Sequence, residues 1–163
     1  MKKLILATLV ALLYAGVCFA QDGKALYTAS YSSKFAIAGA NYSDKILTLW
    51  KDFENNTLDN HVDLIADTVT MMFSQGAPVK GKAANLAGAK AYRGSLKDYK
   101  VTADAWMSVK STDKNQNFVC IWGTESFTDK DGKQVKQRIH EVWGFNKDGK
   151  VDFMMQYAGE GSM

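Results

Sequence analysis

Residues 134–157 read QVKQRIHEVWGFNKDGKVDFMMQY, and this stretch decides the fold. Two runs, Gln134–Asn146 and Lys150–Tyr157, are rich in Val, Ile, Phe and Trp and are longer than average strands. Between them Lys147-Asp148-Gly149-Lys150 supplies turn chemistry, with Gly149 free to take positive φ. The same chemistry recurs one strand earlier, at Lys130-Asp131-Gly132-Lys133. Working back, Asn117–Thr128 and Lys100–Lys110 have the same composition, and the polar segment Thr112–Gln116 joins them. Four long strands linked by short turns predict an antiparallel meander.

The first half of the chain reads as helices. Ser43 can cap a helix with Asp44 in its first turn, and Ile46, Leu49, Trp50 and Phe53 fall on one face before Asn55-Asn56-Thr57 ends it. Asp59 or Asn60 can cap a second, shorter helix carrying Val62, Ile65 and Ala66. Val69–Phe73 favours a strand, Ser74–Gly81 with the sole proline, Pro78, a loop, and Lys82–Arg93 a third helix stopped by Gly94. Residues 22–42 show no sustained period and are expected to form an N-terminal arm. Helices followed by a long-stranded meander make an α+β class in which the helices cover one face of a strongly curved sheet, with bulges expected.

The leader is legible separately. Met1-Lys2-Lys3 is basic, Leu4–Val17 is apolar apart from a few small or polar residues, and Cys18-Phe19-Ala20 places small residues where a signal peptidase reads. Residues 1–20 are expected to be a signal peptide removed before Gln21, giving a periplasmic or secreted protein. Val17 next to Cys18 is a poor lipidation context. Without the leader, 20 Lys and Arg, less Lys2 and Lys3, stand against 17 Asp and Glu. So balanced a surface gives no electrostatic case for nucleic acid or for an anionic membrane. The mature chain suits one domain, and Cys120 is its one cysteine, so no intrachain disulfide or Cys/His metal framework is expected.

The element order and the local marks Ile46–Trp50, Asn55–Asp59, Val79–Lys82 and Phe145–Val151 resemble the nuclear transport factor 2-like superfamily, SnoaL-like branch. The resemblance implies a cone-shaped α+β barrel over residues 43–163, three N-terminal helices packed in a strongly curved, mostly antiparallel sheet, and a homodimer through that sheet. The family holds isomerases, cyclases, epoxide hydrolases, dehydratases and non-catalytic binding modules, so fold alone assigns no reaction. Its ketosteroid isomerases use a helix Tyr and two Asp, whose positions fall on Leu49, Phe73 and Glu141. The acidic position of its limonene epoxide hydrolases falls near Gln156.

Glu141 and His140 are the candidate catalytic residues. Ile139, Trp143 and Phe145 alternate with Glu141, so a carboxyl there is either desolvated and fitted for acid–base work or outward-facing and paired with a Lys. His140 points to the opposite face of a regular strand and is expected to sit across from Gln156; a bulge would be needed to bring it into one cavity with Glu141. Trp50, Phe53, Phe73, Trp106, Trp122, Met154 and Gln156 are candidate ligand-binding residues, although core packing recruits the same types. Gly76–Ala83 nearly spells a phosphate loop but ends in Ala, Asp129–Gly132 lacks the remaining ligands of a calcium loop, and two histidines with no Gly-x-Ser-x-Gly do not support a serine triad. No cofactor and no metal are expected. Two functions stay open: an exported protein with a hydrophobic cone pocket for an unknown small hydrophobic molecule, with acid–base catalysis by Glu141 or His140, or a non-catalytic dimeric interaction module whose pocket is filled by its own side chains.

Overall fold

The computed structural model describes residues 25–160. The expected leader and its cleavage point lie outside the described residues. Residues 25–31 belong to a unit of their own without helix or strand, and the fold is carried by residues 32–160. Strand β1 (Phe35–Ile37) is followed by helix α1 (Ala40–Asn55), a 3-10 turn (Val62–Leu64), β2 (Ile65–Met72) and β3 (Val79–Lys80). Helix α2 (Lys82–Ser95) then leads into β4 (Lys97–Ser111), β5 (Gln116–Thr128), β6 (Gln134–Phe145) and β7 (Val151–Glu160). One sheet runs β1-β4-β5-β6-β7-β2-β3, antiparallel except where β2 lies parallel to β7.

The meander forms as its turns dictate. Asn146 Oδ1 accepts the backbone N–H of Asp148 and Lys150 at 3.0 and 2.9 Å, and Asp129 Oδ1 accepts those of Asp131 and Lys133 at 2.9 and 2.8 Å. Gly149 and Gly132 take φ of 69° and 82°, where a Cβ would be strained. The two hairpins thus repeat one side-chain-capped turn.

The first half of the chain departs from the sequence reading in several places: helix α2 runs past the expected stop at Gly94 to Ser95, Val79–Lys80 of the expected loop pair with β2, and three further differences follow. Helix α1 begins at Ala40, three residues before the expected Ser43, with Gly39 at its N-cap. Ser43 lies inside the first turn, donating its Oγ to the Ala40 carbonyl and its N–H to Ser108 Oγ on β4, so a tertiary partner does what the expected cap would have done. The expected second helix is a single 3-10 turn. Ahead of it Asp52 ties the chain back to α1, accepting from Thr57 and lying 2.7 Å from His61 Nδ1. Ile65 and Ala66 are already in β2, buried beside β7, because pairing with Val151 competes successfully with local helicity. The arm, finally, contributes an edge strand, with Phe35 opposite Ser111 and Ile37 opposite Val109.

Alternation sorts the sheet into two faces. On β5 the residues Val119, Ile121, Glu125 and Phe127 are buried beneath the helices, and on β6 Ile139, Glu141 and Trp143 are their counterparts. Ile46 and Trp50 of α1 join them in the main core cluster, each large side chain contributing about 2 kcal/mol of apolar burial. A second cluster of Leu96, Tyr99 and Phe127 sits towards the other end of the sheet. Arg93 closes the ends of both helices, donating to the carbonyls of Phe53 and Glu54 at 2.8 Å and of Leu96 at 3.3 Å. At Gly123 an added Cβ would lie 2.5 Å from the Thr102 carbonyl and 2.8 Å from the Trp50 ring. Glycine there lets the indole lie against the sheet.

Candidate functional site

A cavity of ≈ 570 Å³ lies between the inner face of the sheet and the two helices. Its size is that of a site for a drug-sized molecule. Helix α2 leaves the space because Ala84, Gly88 and Ala89 face it with almost no side chain. Trp50, Trp143, Met154 and Ile139 form the buried end. Phe73 and Tyr92 stand half exposed at the rim, beside Ser74 and Gln75 of the β2–β3 loop.

Glu141 is placed at that buried end, 5% exposed. The indole N–H groups of Trp50 and Trp143 donate to its Oε2 at 2.7 and 2.8 Å, and Gln156 Nε2 donates to Oε1 at 2.8 Å. Burial pushes the carboxyl above its ordinary range; the three donors, which favour the charged form, offset that only partly, and Glu125 adds to it. Indole nitrogen can only donate, so Oε2 must accept from both. The proton of the neutral acid therefore sits on Oε1, beside Gln156, whose amide can turn to accept it. Oε1 is the atom able to exchange a proton with a bound molecule.

A second buried carboxyl lines the same cavity. Glu125, also 5% exposed, accepts the Tyr99 hydroxyl on Oε2 at 2.7 Å and the Gln137 amide on Oε1. Burial and the neighbouring carboxylate push the Tyr99 phenol far above its ordinary range, so it stays a donor. Asn85 of α2 lines the cavity as well and is 4% exposed. Its Nδ2 donates to the carbonyls of Val79 and Gly81 at 3.1 and 2.8 Å, which fixes the amide's orientation and leaves a buried Oδ1 that no donor among the described residues reaches.

Of the residues singled out from sequence, Trp50, Phe53, Phe73, Met154, Gln156 and Glu141 are brought together around this cavity. Three are not. His140 lies on the outer face, its ring stacked on Trp122 at 4.6 Å and 2° and on Tyr157 at 6.2 Å and 20°. Trp122 is outside for the same reason of strand parity. Trp106 follows a register shift between Ala103 and Ala105 on β4 and stands half exposed away from the cavity lining. The β6–β7 register also differs from expectation: His140 pairs with Tyr157, and Glu141 with Gln156. Phe145 still faces Val151, as a regular hairpin requires, but Gly144 faces Phe153, so Asp152 is the extra residue of a bulge. That single insertion turns Gln156 from the His140 face to the Glu141 face. Sequence reasoning missed Glu125, Tyr99, Gln137 and Asn85. The signal for Glu125 was present, since it alternates with Ile121 and Phe127 just as Glu141 alternates with its neighbours.

Among the described residues no group of three or more His, Cys, Asp or Glu side chains is placed to hold a metal ion. A curved sheet wrapped by two helices around an apolar hollow with a buried acid is the cone-shaped α+β class of fold. No family model and no curated protein matches the chain, whereas solved structures do. An NTF2-like protein of unknown function from Burkholderia pseudomallei superposes with a TM-score of 0.62 at 14% identity, over 75% of this chain and 93% of that one. An LEH-like epoxide hydrolase of M. tuberculosis gives 0.60 at 11%, over 74% and 84%. A Jannaschia protein assigned as a SnoaL-like polyketide cyclase gives 0.59 at 13%, over 73% and 85%. The chain has the nuclear transport factor 2-like fold, the fold of the SnoaL-like proteins.

Proposed function

We propose that the protein binds an apolar small molecule in this cavity and that Glu141 exchanges a proton with it. The observation that carries the reading is the Glu141 carboxyl itself, desolvated at the closed end of the cavity, with Oε2 saturated by two indoles and Oε1 left for exchange. A carboxyl held above its ordinary range keeps a transferable proton where an exposed glutamate has lost it. Two structural neighbours, an LEH-like epoxide hydrolase and a protein assigned as a SnoaL-like polyketide cyclase, carry the names of enzymes, which supports the same reading. A module whose hollow is plugged by Trp and Met is less well supported, because Trp50, Trp143 and Met154 stand in the wall and leave the space open. The outer sheet face, with Trp122, His140 and Tyr157 stacked and Ile37 and Met107 exposed, is where we place a homodimer contact. Export to the periplasm or medium rests on the leader. Native mass spectrometry of protein purified from its own host tests the reading: a retained small molecule is expected in the wild type, and turnover or retention should fall in Glu141→Gln. A well-folded Glu141→Gln protein with the wild-type ligand profile would demote Glu141 to a structural group.

A further inference from the structure

The polar atoms of the cavity are strongly unbalanced. Glu141 and Glu125 are the only ionisable groups other than phenols among the lining residues, and no Lys, Arg or His is in that lining. Among the described residues neither carboxylate takes part in an ion pair. Arg93 passes over the Tyr99 ring at 5.1 Å, but it donates to the carbonyls of Phe53, Glu54 and Leu96 and is not a lining residue. Two buried acids with no cation beside them in one apolar hollow ask for a molecule that brings donors and positive charge.

We propose that the molecule taken by this cavity is an amphiphilic amine, bound as its ammonium form, with the charged end at Glu125 and the apolar body running towards Trp50 and Met154. Glu125 suits the ammonium better than Glu141 for a geometric reason. Each Glu125 oxygen accepts one hydrogen bond, from Tyr99 and from Gln137, and each has a lone pair left. Glu141 Oε2 already takes two indoles. The Tyr99 that holds Glu125 belongs to an aromatic cluster: Phe53 lies 5.1 Å from Tyr99 and 6.4 Å from Tyr92, and Phe127 lies 6.1 and 6.5 Å from the same two. Such rings receive the methylenes next to an ammonium, and their faces attract its charge. This placement leaves Glu141 facing the body of the molecule, and it rests on the reading that the cavity is a ligand site.

The test compares three probes of one shape with the full-length purified protein: 4-phenylbutylamine, 4-phenylbutanol and 4-phenylbutyrate, titrated by calorimetry and by tryptophan fluorescence. The amine is expected to bind about tenfold or more tighter than the alcohol, and the carboxylate more weakly than either. Glu125→Gln should bring the amine to within about threefold of the alcohol without changing the alcohol's own affinity. Glu141→Gln should keep the amine preference. An alcohol that binds as well as the amine overturns the amine proposal and leaves the ligand-site reading standing. A preference that survives Glu125→Gln, or vanishes only in Glu141→Gln, overturns the placement at Glu125. If none of the three binds at millimolar concentration, both readings fall.

Discussion

Replacing Glu141 separates its proton from its packing. In Glu141→Gln the side-chain oxygen can stay on the Oε2 side, accepting both indoles, while the new amide faces Gln156, which turns its own oxygen to receive it. Both buried indole donors keep their acceptor. The change also removes a group that burial holds above its ordinary value near 4.5. For an acid so shifted, the folded protein retains a proton that the unfolded chain has released, so stability is full at low pH. It falls as pH rises from about 4.5 through the raised value, by at most about 1.4 kcal/mol per pH unit. Glu141→Gln should therefore match the wild type below about pH 4.5 and gain on it as the pH rises through the raised value. Asp152, whose carboxyl burial also raises, is retained in both proteins and cancels in the difference. Glu141→Leu is the contrasting case. It leaves the Trp50 and Trp143 N–H groups buried without an acceptor, at about 1–3 kcal/mol each, so about 2–6 kcal/mol in all and at every pH. Urea melts of the three proteins between pH 4.5 and 8 read both effects. A Glu141→Gln protein weaker than wild type by more than about 2 kcal/mol at neutral pH, or a difference that does not change with pH, refutes the desolvated-acid account.

Other perturbations test the architecture around the site. Gly123→Ala would press a methyl against the Thr102 carbonyl and the Trp50 ring, costing about 1–3 kcal/mol and displacing the indole from Glu141, visible as a shift in tryptophan emission alongside the denaturant midpoint. His140→Ala should leave ligand retention and any turnover unchanged, because its ring is stacked between Trp122 and Tyr157 on the outer face; loss of retention with the oligomeric state unchanged would mean that the faces have been assigned the wrong way round. Asn146→Ala should cost about 0.5–2 kcal/mol in a thermal melt, since it removes the acceptor for two turn N–H groups, while leaving probe affinity untouched. Deleting Asp152 removes the bulged residue and should carry Gln156 off Glu141. The expected outcome is a folded hairpin with weakened probe binding, and unaltered amide shifts for Gln156 would count against the bulge as the positioning device.

The order of elements was legible because each piece of evidence was local. The repeated turns at residues 130–133 and 147–150 carry their own hydrogen bonds, so nothing distant could overrule them. The helix boundaries failed where a partner far along the chain intervened. Ser43 has the chemistry of a cap, but Ser108 on β4 offers its N–H a better-placed acceptor, and the helix extends back to Ala40. Ile65 and Ala66 have helical spacing from Val62, yet a strand beside β7 buries both. Local propensity differences of a few tenths of a kcal/mol give way to burial worth several times as much.

The site divides along the same line. Placing Glu141 towards the core needed only alternation within one strand, where Ile139 and Trp143 mark the buried parity. Placing Gln156 needed the pairing between strands, and there one residue decides everything, because the side-chain period is two. A regular hairpin from Phe145 and Val151 sets His140 against Gln156; the bulge at Asp152 sets Glu141 against it instead. A bulge leaves no mark in composition, since it answers to the curvature of the whole sheet rather than to its own neighbours. The proposed proton exchange depends on that event: Gln156 is the group that holds Glu141 Oε1, the one oxygen free of the indoles. Alternation alone therefore puts an acid beneath the helices, and the irregularity in the neighbouring strand supplies the partner for its proton.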